Sequence, residues 1–364
     1  MEASNRIGEG KTDLGLKYTL AAMDGMSHAA FRSICFEYGA QDATTEMVSA
    51  IAYARARRKR QPILDAQLMR RPEETRLAAQ IIGCEPEVMA AAARKLESIH
   101  RFDVIEINMG CPARTVVGGG SGSALLQNPQ LAGEILRAVC DATRLPVRLK
   151  LRLGWDEAHI TAPEIAAMAQ EAGCSALILH GRTRSQMYRG SVDLEEMKRV
   201  REAVTIPLYA NGAVTKPADA AAFGEKLGAQ GVCIGRAALK APWIFDDIRR
   251  LERGDAPVQR DAAERVDVLL RLGARMCDQK PERLAMCELR KFCGWYLEGL
   301  TGAKEVCSRI HRVEQLDELR WVLEGYLNGL IAANDVHVHP ELLPEATLDT
   351  VDDAARRCGC SVLL

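Results

Sequence analysis

The stretch that decides the fold is residues 104–153. An apolar run, Val104-Ile-Glu-Ile-Asn108, ends in Met-Gly-Cys-Pro112, and an amphipathic stretch at 129–143 then opens on Pro129. A second run, Val147-Arg-Leu-Lys-Leu-Arg-Leu153, follows. Proline suits the first turn of a helix, where its missing N–H has no partner to lose. The segment therefore reads as strand, crossover helix and next strand, the arrangement that parallel pairing requires.

The same alternation runs outward in both directions. Strands are expected at 18–22, 43–45, 77–82, 104–108, 147–153, 176–180, 207–211 and 231–235. Helices are expected at 86–100, 129–143, 163–172, 193–203 and 217–227, with a helical insertion and its connecting loop at 56–74. Eight strand–helix alternations predict an α/β fold of the (β/α)8, TIM-barrel type. A doubly wound sheet would carry Gly-x-Gly-x-x-Gly after its first strand, and that motif is absent. Beyond Trp243 the strand signal stops. Helical periodicity covers 261–278, 281–300 and 313–332, broken by glycines at 299–302, and Arg253-Gly-Asp-Ala-Pro257 reads as a linker. The expected organisation is a tail at 1–15, a barrel over 16–250, a smaller all-helical domain over 258–335 and a second tail over 336–364.

Composition narrows the function classes. The chain has 364 residues, 48% of them hydrophobic, and a formal net charge of −1. That apolar content excludes a disordered or collagen-like chain. The balance of charge removes bulk basicity as a route to nucleic acid, so any such contact needs a local patch. Arg55-Ala-Arg-Arg-Lys-Arg60 is the densest one, and taken alone it reads as a solvated helix face. The polar first fifteen residues lack a signal-peptide core, and no run approaches the ~18 apolar residues a membrane span needs. A soluble, cytoplasmic protein is expected. The 12 cysteines are scattered singly, as in a reduced protein. Cys358 and Cys360 form a close pair with no second pair or His cluster beside it, so no metal site is expected.

In a barrel the chemistry belongs at the C-terminal strand ends. Those positions hold Met23-Asp-Gly25 after strand 1, Glu46-Met-Val48 after strand 2, and Gln80 late in strand 3. Asn108 ends strand 4, Lys150 and Arg152 lie in strand 5, and His180 with Arg182 ends strand 6. Asn211 and Gly212 end strand 7, and Gly235 with Arg236 ends strand 8. A lysine within an apolar strand must meet an anion or bear a large desolvation cost. Glycines at the ends of strands 7 and 8 offer backbone N–H groups to a phosphate, unless they are simple turn residues. Cys111, on a loop between Gly110 and Pro112, is placed as a nucleophile or a proton donor. The glycine-rich stretch Gly118-Gly-Gly-Ser-Gly122 lacks the Gly-Lys-Ser/Thr ending of a phosphate-binding loop and reads as a mobile lid.

Seven motifs occur in order: Thr45-Glu-Met-Val-Ser49, Ile107-Asn-Met-Gly-Cys-Pro112, Gly122-Ser-Ala-Leu-Leu126, Lys150-Leu-Arg-Leu-Gly-Trp155, His180-Gly-Arg-Thr183, Asn211-Gly212 and Ile234-Gly-Arg236. Together they resemble the tRNA-dihydrouridine synthases, flavin enzymes with an FMN-binding barrel and a helical C-terminal domain. Leu289-Arg-Lys291 and Trp295-Tyr296 extend the resemblance into that domain. It implies FMN contacts at Ala22, Met23, Asp24, Gln80, Lys150 and His180, and at Asn211, Gly212, Ala213, Gly235 and Arg236. Cys111 matches the acid that protonates uracil C5, while FMN N5 delivers hydride to C6 after reduction by NADPH or NADH. Asn108, Arg152 and Arg182 are assigned to the substrate side, and Arg290 and Lys291 to the RNA backbone. The implied partner is tRNA, bound by a monomer without membrane or metal. The chain departs from the family's usual residues at Ala22, Ala213, Lys240, Ala241, Phe292 and Glu298. Two rival readings are an FMN barrel reducing a free pyrimidine or an enone, and a non-catalytic RNA-binding barrel.

Overall fold

The computed structural model describes residues 16–55 and 61–332. Both expected tails, the Cys358/Cys360 pair and residues 56–60 of the basic run lie outside the described residues. Arg55, which opens that run, is exposed and lies 3.8 Å from Glu85.

Eight parallel strands form the closed sheet: β1 (Tyr18–Leu20), β2 (Asp42–Thr44), β3 (Leu77–Ile82), β4 (Val104–Met109), β5 (Val147–Arg152), β6 (Ala176–His180), β7 (Leu208–Asn211) and β8 (Gly231–Ile234). Each pairs with its sequence neighbour, β8 pairs with β1, and β2 pairs with β3 to complete the ring. A short strand, Val48–Ser49, adds to β3 beyond the end of β2. The expected barrel is therefore present. Its crossover helices include Pro86–Ser98, Pro129–Ala142, Ala162–Glu171, Leu194–Glu202 and Pro217–Leu227. They turn apolar residues such as Met89, Leu96, Ile135 and Val139 inward, each fully buried. Asn128 caps the second of these helices by accepting from Leu131 N at 3.1 Å.

Side chains alternate across each strand, so every second residue faces the lumen. One arc of the interior is apolar, with Ala21, Ala176, Ile178, Tyr209 and Cys233 packed together. The facing arc, from β2 to β5, holds Asp42, Thr44, Gln80, Glu106, Asn108 and Arg148, all buried. Lys150 continues it, partly buried.

Among the described residues the contacts divide the chain into two units, residues 16–29 with 40–235 and residues 30–39 with 236–332. The division after Gly235 falls earlier than the expected boundary at 250. Helices Arg236–Lys240 and Ile244–Glu252 belong to the second unit, where Arg260 lies 2.9 Å from Asp246. Most of the helix after β1, Ala29–Glu37, joins it too. There Phe31 meets Phe292 at 5.4 Å between ring centroids, and the Glu37 carboxylate pairs with Arg271 and Arg275.

The segment after the linker also differs in helix count from the expectation. Ala262–Cys277, Glu282–Tyr296 and Leu316–Ala332 match the three expected stretches, but a fourth helix, Ala303–Ile310, lies between them. It is short enough that its buried apolar face is only Val306 and Ile310, too little periodicity to read from sequence. Gly299 (φ 80°) and Gly302 (φ 72°) adopt left-handed backbone at the turn before it, which favours glycine over residues with a Cβ.

Candidate active site

The C-terminal rim of the first unit gathers polar side chains that are far apart in sequence. Register explains why: Gln80 is paired with Glu106, Glu106 with Arg148, Asn108 with Lys150, and Asn211 with His180. Neighbouring strands thus bring these side chains to common levels of the barrel.

Asn108 organises the loop after β4. Its Oδ1 accepts from the backbone N–H of Gly110 at 3.0 Å and of Cys111 at 2.9 Å. Its Nδ2 donates to Gln80 Oε1 at 2.8 Å. The far side of Cys111 is held as well, because its carbonyl accepts from Ser123 N at 3.0 Å. Gly122, at φ 60°, makes this approach possible, since a Cβ there would lie 2.8 Å from the Cys111 carbonyl oxygen. The stretch expected to be a mobile lid makes contacts of its own. Residues 114–118 form a helical turn, Ser121 N donates to Val116 O, and Gly122 is packed against Cys111.

Burial pushes the Cys111 thiol above its ordinary pKa of 9.0, and Asp24 pushes in the same direction. The Ala113 amide, Arg152 and Lys150 oppose that shift. The result is a thiol that retains its proton at neutral pH, suited to giving a proton and poorly suited to attacking as a thiolate.

Lys150 donates to Asn211 Oδ1 at 3.3 Å. Asn211 is oriented for this contact by donating its own Nδ2 to the Cys233 carbonyl at 2.7 Å. Burial lowers the Lys150 pKa, because an ammonium taken from water is disfavoured. On β6, His180 is buried, and its Nε2 lies 3.3 Å from Arg182 Nη1. A guanidinium can only donate, so this contact favours the imidazole tautomer protonated on Nδ1. Gly212, at φ 113°, sits against the same ring, and a Cβ there would come within 2.9 Å of His180 Cδ2.

Two arginines assigned to substrate engage the protein itself. Arg152 is 2% exposed and donates to the carbonyls of Gly110, Thr183 and Met187. Arg182 is 3% exposed and donates to Gly190, Arg189 and Gly212 carbonyls. These groups tie the loop at 183–190 to the strand ends and do not present their charge to solvent. Met23 is buried, and its backbone N–H donates to Ser27 Oγ at 2.8 Å, closing the turn that carries Ala22 and Asp24. Ala213 and Gly235 are partly exposed beyond β7 and β8. Arg236 opens a helix of the second unit, as Arg290 and Lys291 lie on another. Arg290 donates to the Val313 carbonyl at 3.2 Å, while Lys291 makes no ion pair among the described residues.

Sequence reasoning passed over Asp42, Glu106 and Arg148. Arg148 lies 2.7 Å from Asp42 and 2.8 Å from Glu106, all three fully buried. The available signal was the two-residue spacing of Arg148, Lys150 and Arg152, which places all three on one strand face. Among the described residues no His/Cys/Asp/Glu cluster suits a metal ion, and no helix is long and apolar enough to cross a membrane.

Comparison with known proteins returns a consistent description. The dihydrouridine synthase (Dus) family profile matches residues 19–329. A probable tRNA-dihydrouridine synthase of Rickettsia conorii is 36% identical over 297 residues, 81% of this chain and 88% of that protein. The tRNA-dihydrouridine synthase B of Pseudomonas putida is 38% identical over 301 residues, 81% of this chain and 86% of the relative. That of Vibrio cholerae is 35% identical over 312 residues, covering 85% and 95%. Among solved structures, histamine dehydrogenase from Rhizobium sp. 4-9 aligns at a TM-score of 0.49 and 14% identity over 71% of this chain and 48% of that one, too distant to bear on the chemistry.

Proposed function

Since this chain belongs to the dihydrouridine synthase family, we propose that it reduces the C5–C6 bond of uridines in tRNA to 5,6-dihydrouridine, with FMN as cofactor and NADPH as electron donor. The observation that carries this reading is Cys111, a thiol kept protonated by burial and held by hydrogen bonds on both sides of its residue.

The residues at the rim fit a flavin. Lys150 is a partly buried ammonium whose hydrogen-bond partner is the neutral Asn211, and no carboxylate among the described residues pairs with it. A ligand that carries or gains negative charge would offset the cost of burying that ammonium. Gly212 presents bare backbone at the end of β7, where a side chain would strike His180. Gln80, Lys150, His180 and Asn211 would hold the ring system, and backbone at Gly212, Ala213 and Gly235 the phosphate. Bound there and reduced by NADPH, FMN would supply a hydride from N5 to C6 of the uracil.

The remaining steps belong to the protein. Cys111 gives its proton to C5, completing addition of one hydride and one proton across the double bond. Lys150 neutralises negative charge on the group bound against it. Arg152 and Arg182 keep the surrounding loops in place. A stacked uridine must first be extruded from the RNA, at a cost of about a few kcal/mol. Basic side chains of the helical unit, Lys291 foremost, would contact phosphates. No dinucleotide-binding motif follows the first strand, so the nicotinamide would react at the same face as the uracil, in turn.

The test is direct. Purified protein, supplied with FMN, NADPH and an unmodified tRNA transcript, should form dihydrouridine detectable by mass spectrometry of the digested RNA. Replacing the transcript with free uridine should abolish product. A protein that takes up no FMN, or that reduces free pyrimidines in preference to tRNA, would overturn the proposal.

A further inference from the structure

The geometry points to Glu106 as a positioning residue that sets the direction of an amide relay ending at the Cys111 backbone. This inference rests on the reading of Cys111 as the proton donor.

Glu106 lies at the middle of β4 and is fully buried. Its Oε2 accepts from Arg148 Nε at 2.8 Å and from Thr44 Oγ1 at 3.2 Å. Arg148 also donates to Asp42 Oδ2 at 2.7 Å and Thr44 Oγ1 at 3.0 Å, while Arg76 lies 3.9 Å from Asp42. Two guanidinium groups thus face two carboxylates. The other Glu106 oxygen, Oε1, accepts from Gln80 Nε2 at 2.5 Å. From there the chain continues to Asn108 and then to the N–H groups of Gly110 and Cys111.

The relay has one permitted direction. A carboxylate only accepts, so Gln80 must turn its NH2 toward Glu106 and its carbonyl toward Asn108. Asn108 must then donate to Gln80, which leaves its own carbonyl facing the backbone N–H groups of the Cys111 loop. Reversing either amide would bring acceptor against acceptor or donor against donor. An isolated asparagine could flip, whereas this one is constrained by a charge two residues away on the same strand face. The consequence is a Cys111 loop held in a single conformation before substrate arrives, the preorganisation a proton donor needs. Neutralising Glu106 removes the constraint without touching Cys111.

The experiment reads Cys111 directly. Holoenzyme without RNA is treated with iodoacetamide, and carboxamidomethylation of the Cys111 peptide is followed by mass spectrometry. Single-turnover dihydrouridine formation and flavin reduction by NADPH are measured alongside. Glu106→Gln should change the Cys111 alkylation rate several-fold and slow dihydrouridine formation by roughly tenfold to a hundredfold, the scale of a charged hydrogen bond. Flavin reduction should be slowed less than dihydrouridine formation, because Cys111 takes no part in it, although Gln80 also holds the flavin ring in the proposed site. Glu106→Gln combined with Asn108→Ala should cost little more than Asn108→Ala alone, since a broken relay cannot be broken twice. If Glu106→Gln does not fold, Gln80→Leu takes its place. It leaves Asn108 and Cys111 intact but severs them from Glu106, so the relay requires its alkylation rate to shift in the same direction as that of Asn108→Ala. Additive effects, or wild-type alkylation in Gln80→Leu, would overturn the relay. Absence of dihydrouridine from the wild-type reaction would instead overturn the proposed function, and the alkylation measurements would still decide on the relay.

Discussion

Lys150 on β5 and Asn211 on β7 meet at 3.3 Å, across the intervening strand β6, and the asparagine is fixed in that role by its second hydrogen bond to the Cys233 carbonyl. A lysine placed there, half out of water and facing a neutral amide, leaves one positive charge to be matched by what enters the barrel.

Lys150→Ala should therefore weaken FMN binding by roughly 10- to 100-fold, the equivalent of ~1.5–3 kcal/mol for a hydrogen bond to a charged group. Titration of the apoprotein by quenching of flavin fluorescence measures this. Unchanged affinity would remove Lys150 from the cofactor site.

Cys111→Ala should separate the two halves of the reaction. FMN content and NADPH oxidation should remain near wild type, while dihydrouridine formation falls by roughly 10²–10⁴-fold. Full product formation by the variant would mean that another group protonates C5.

The pH dependence has a definite sign. Burial, assisted by Asp24, holds the Cys111 thiol above 9.0, so the proton-bearing form persists as pH rises through that value. Dihydrouridine formation by reduced enzyme should hold across the ordinary thiol range and decline only at higher pH. Single-turnover rates from about pH 7 to about pH 10.5 test it. A decline centred below about pH 8.5 would indicate a thiol that is not raised.

The positive charges of the helical unit call for a separate measurement. Arg290 is engaged with the Val313 carbonyl, so reversing it disturbs packing as well as charge. Lys291→Glu is the cleaner change and should weaken tRNA binding several-fold while reducing the salt slope by about one phosphate contact. Flavin content should not move. If affinity and slope are both unaffected, the RNA backbone lies elsewhere, and the run beginning at Arg55 becomes the next candidate.

The barrel was legible because its evidence is local. Proline-led helices and apolar strands announce themselves within a few residues, and polar residues such as Gln80, Asn108 and Lys150 stand at strand positions where a lumen-facing group is conspicuous. The backbone contacts of Arg152 and Arg182 were not legible, for the opposite reason. Their partners are backbone carbonyls of Gly110, Thr183, Met187, Gly190 and Gly212, and no residue type marks a carbonyl as an acceptor in waiting. The Glu106–Gln80 contact depends on the register between β3 and β4. Sequence spacing alone does not specify that register. The helix Ala303–Ile310 was too short to leave a periodic trace.

Residues 30–39 carry a consequence for synthesis of the chain. They are translated early, yet Phe31 packs on Phe292 and Glu37 pairs with Arg271 and Arg275, all made much later. The emerging protein must therefore hold an apolar ring and a carboxylate in waiting until the C-terminal helices follow. A chain cut at the 253–257 linker would never receive those partners. Truncation at that linker therefore strands residues 30–39 without the helices they pack against.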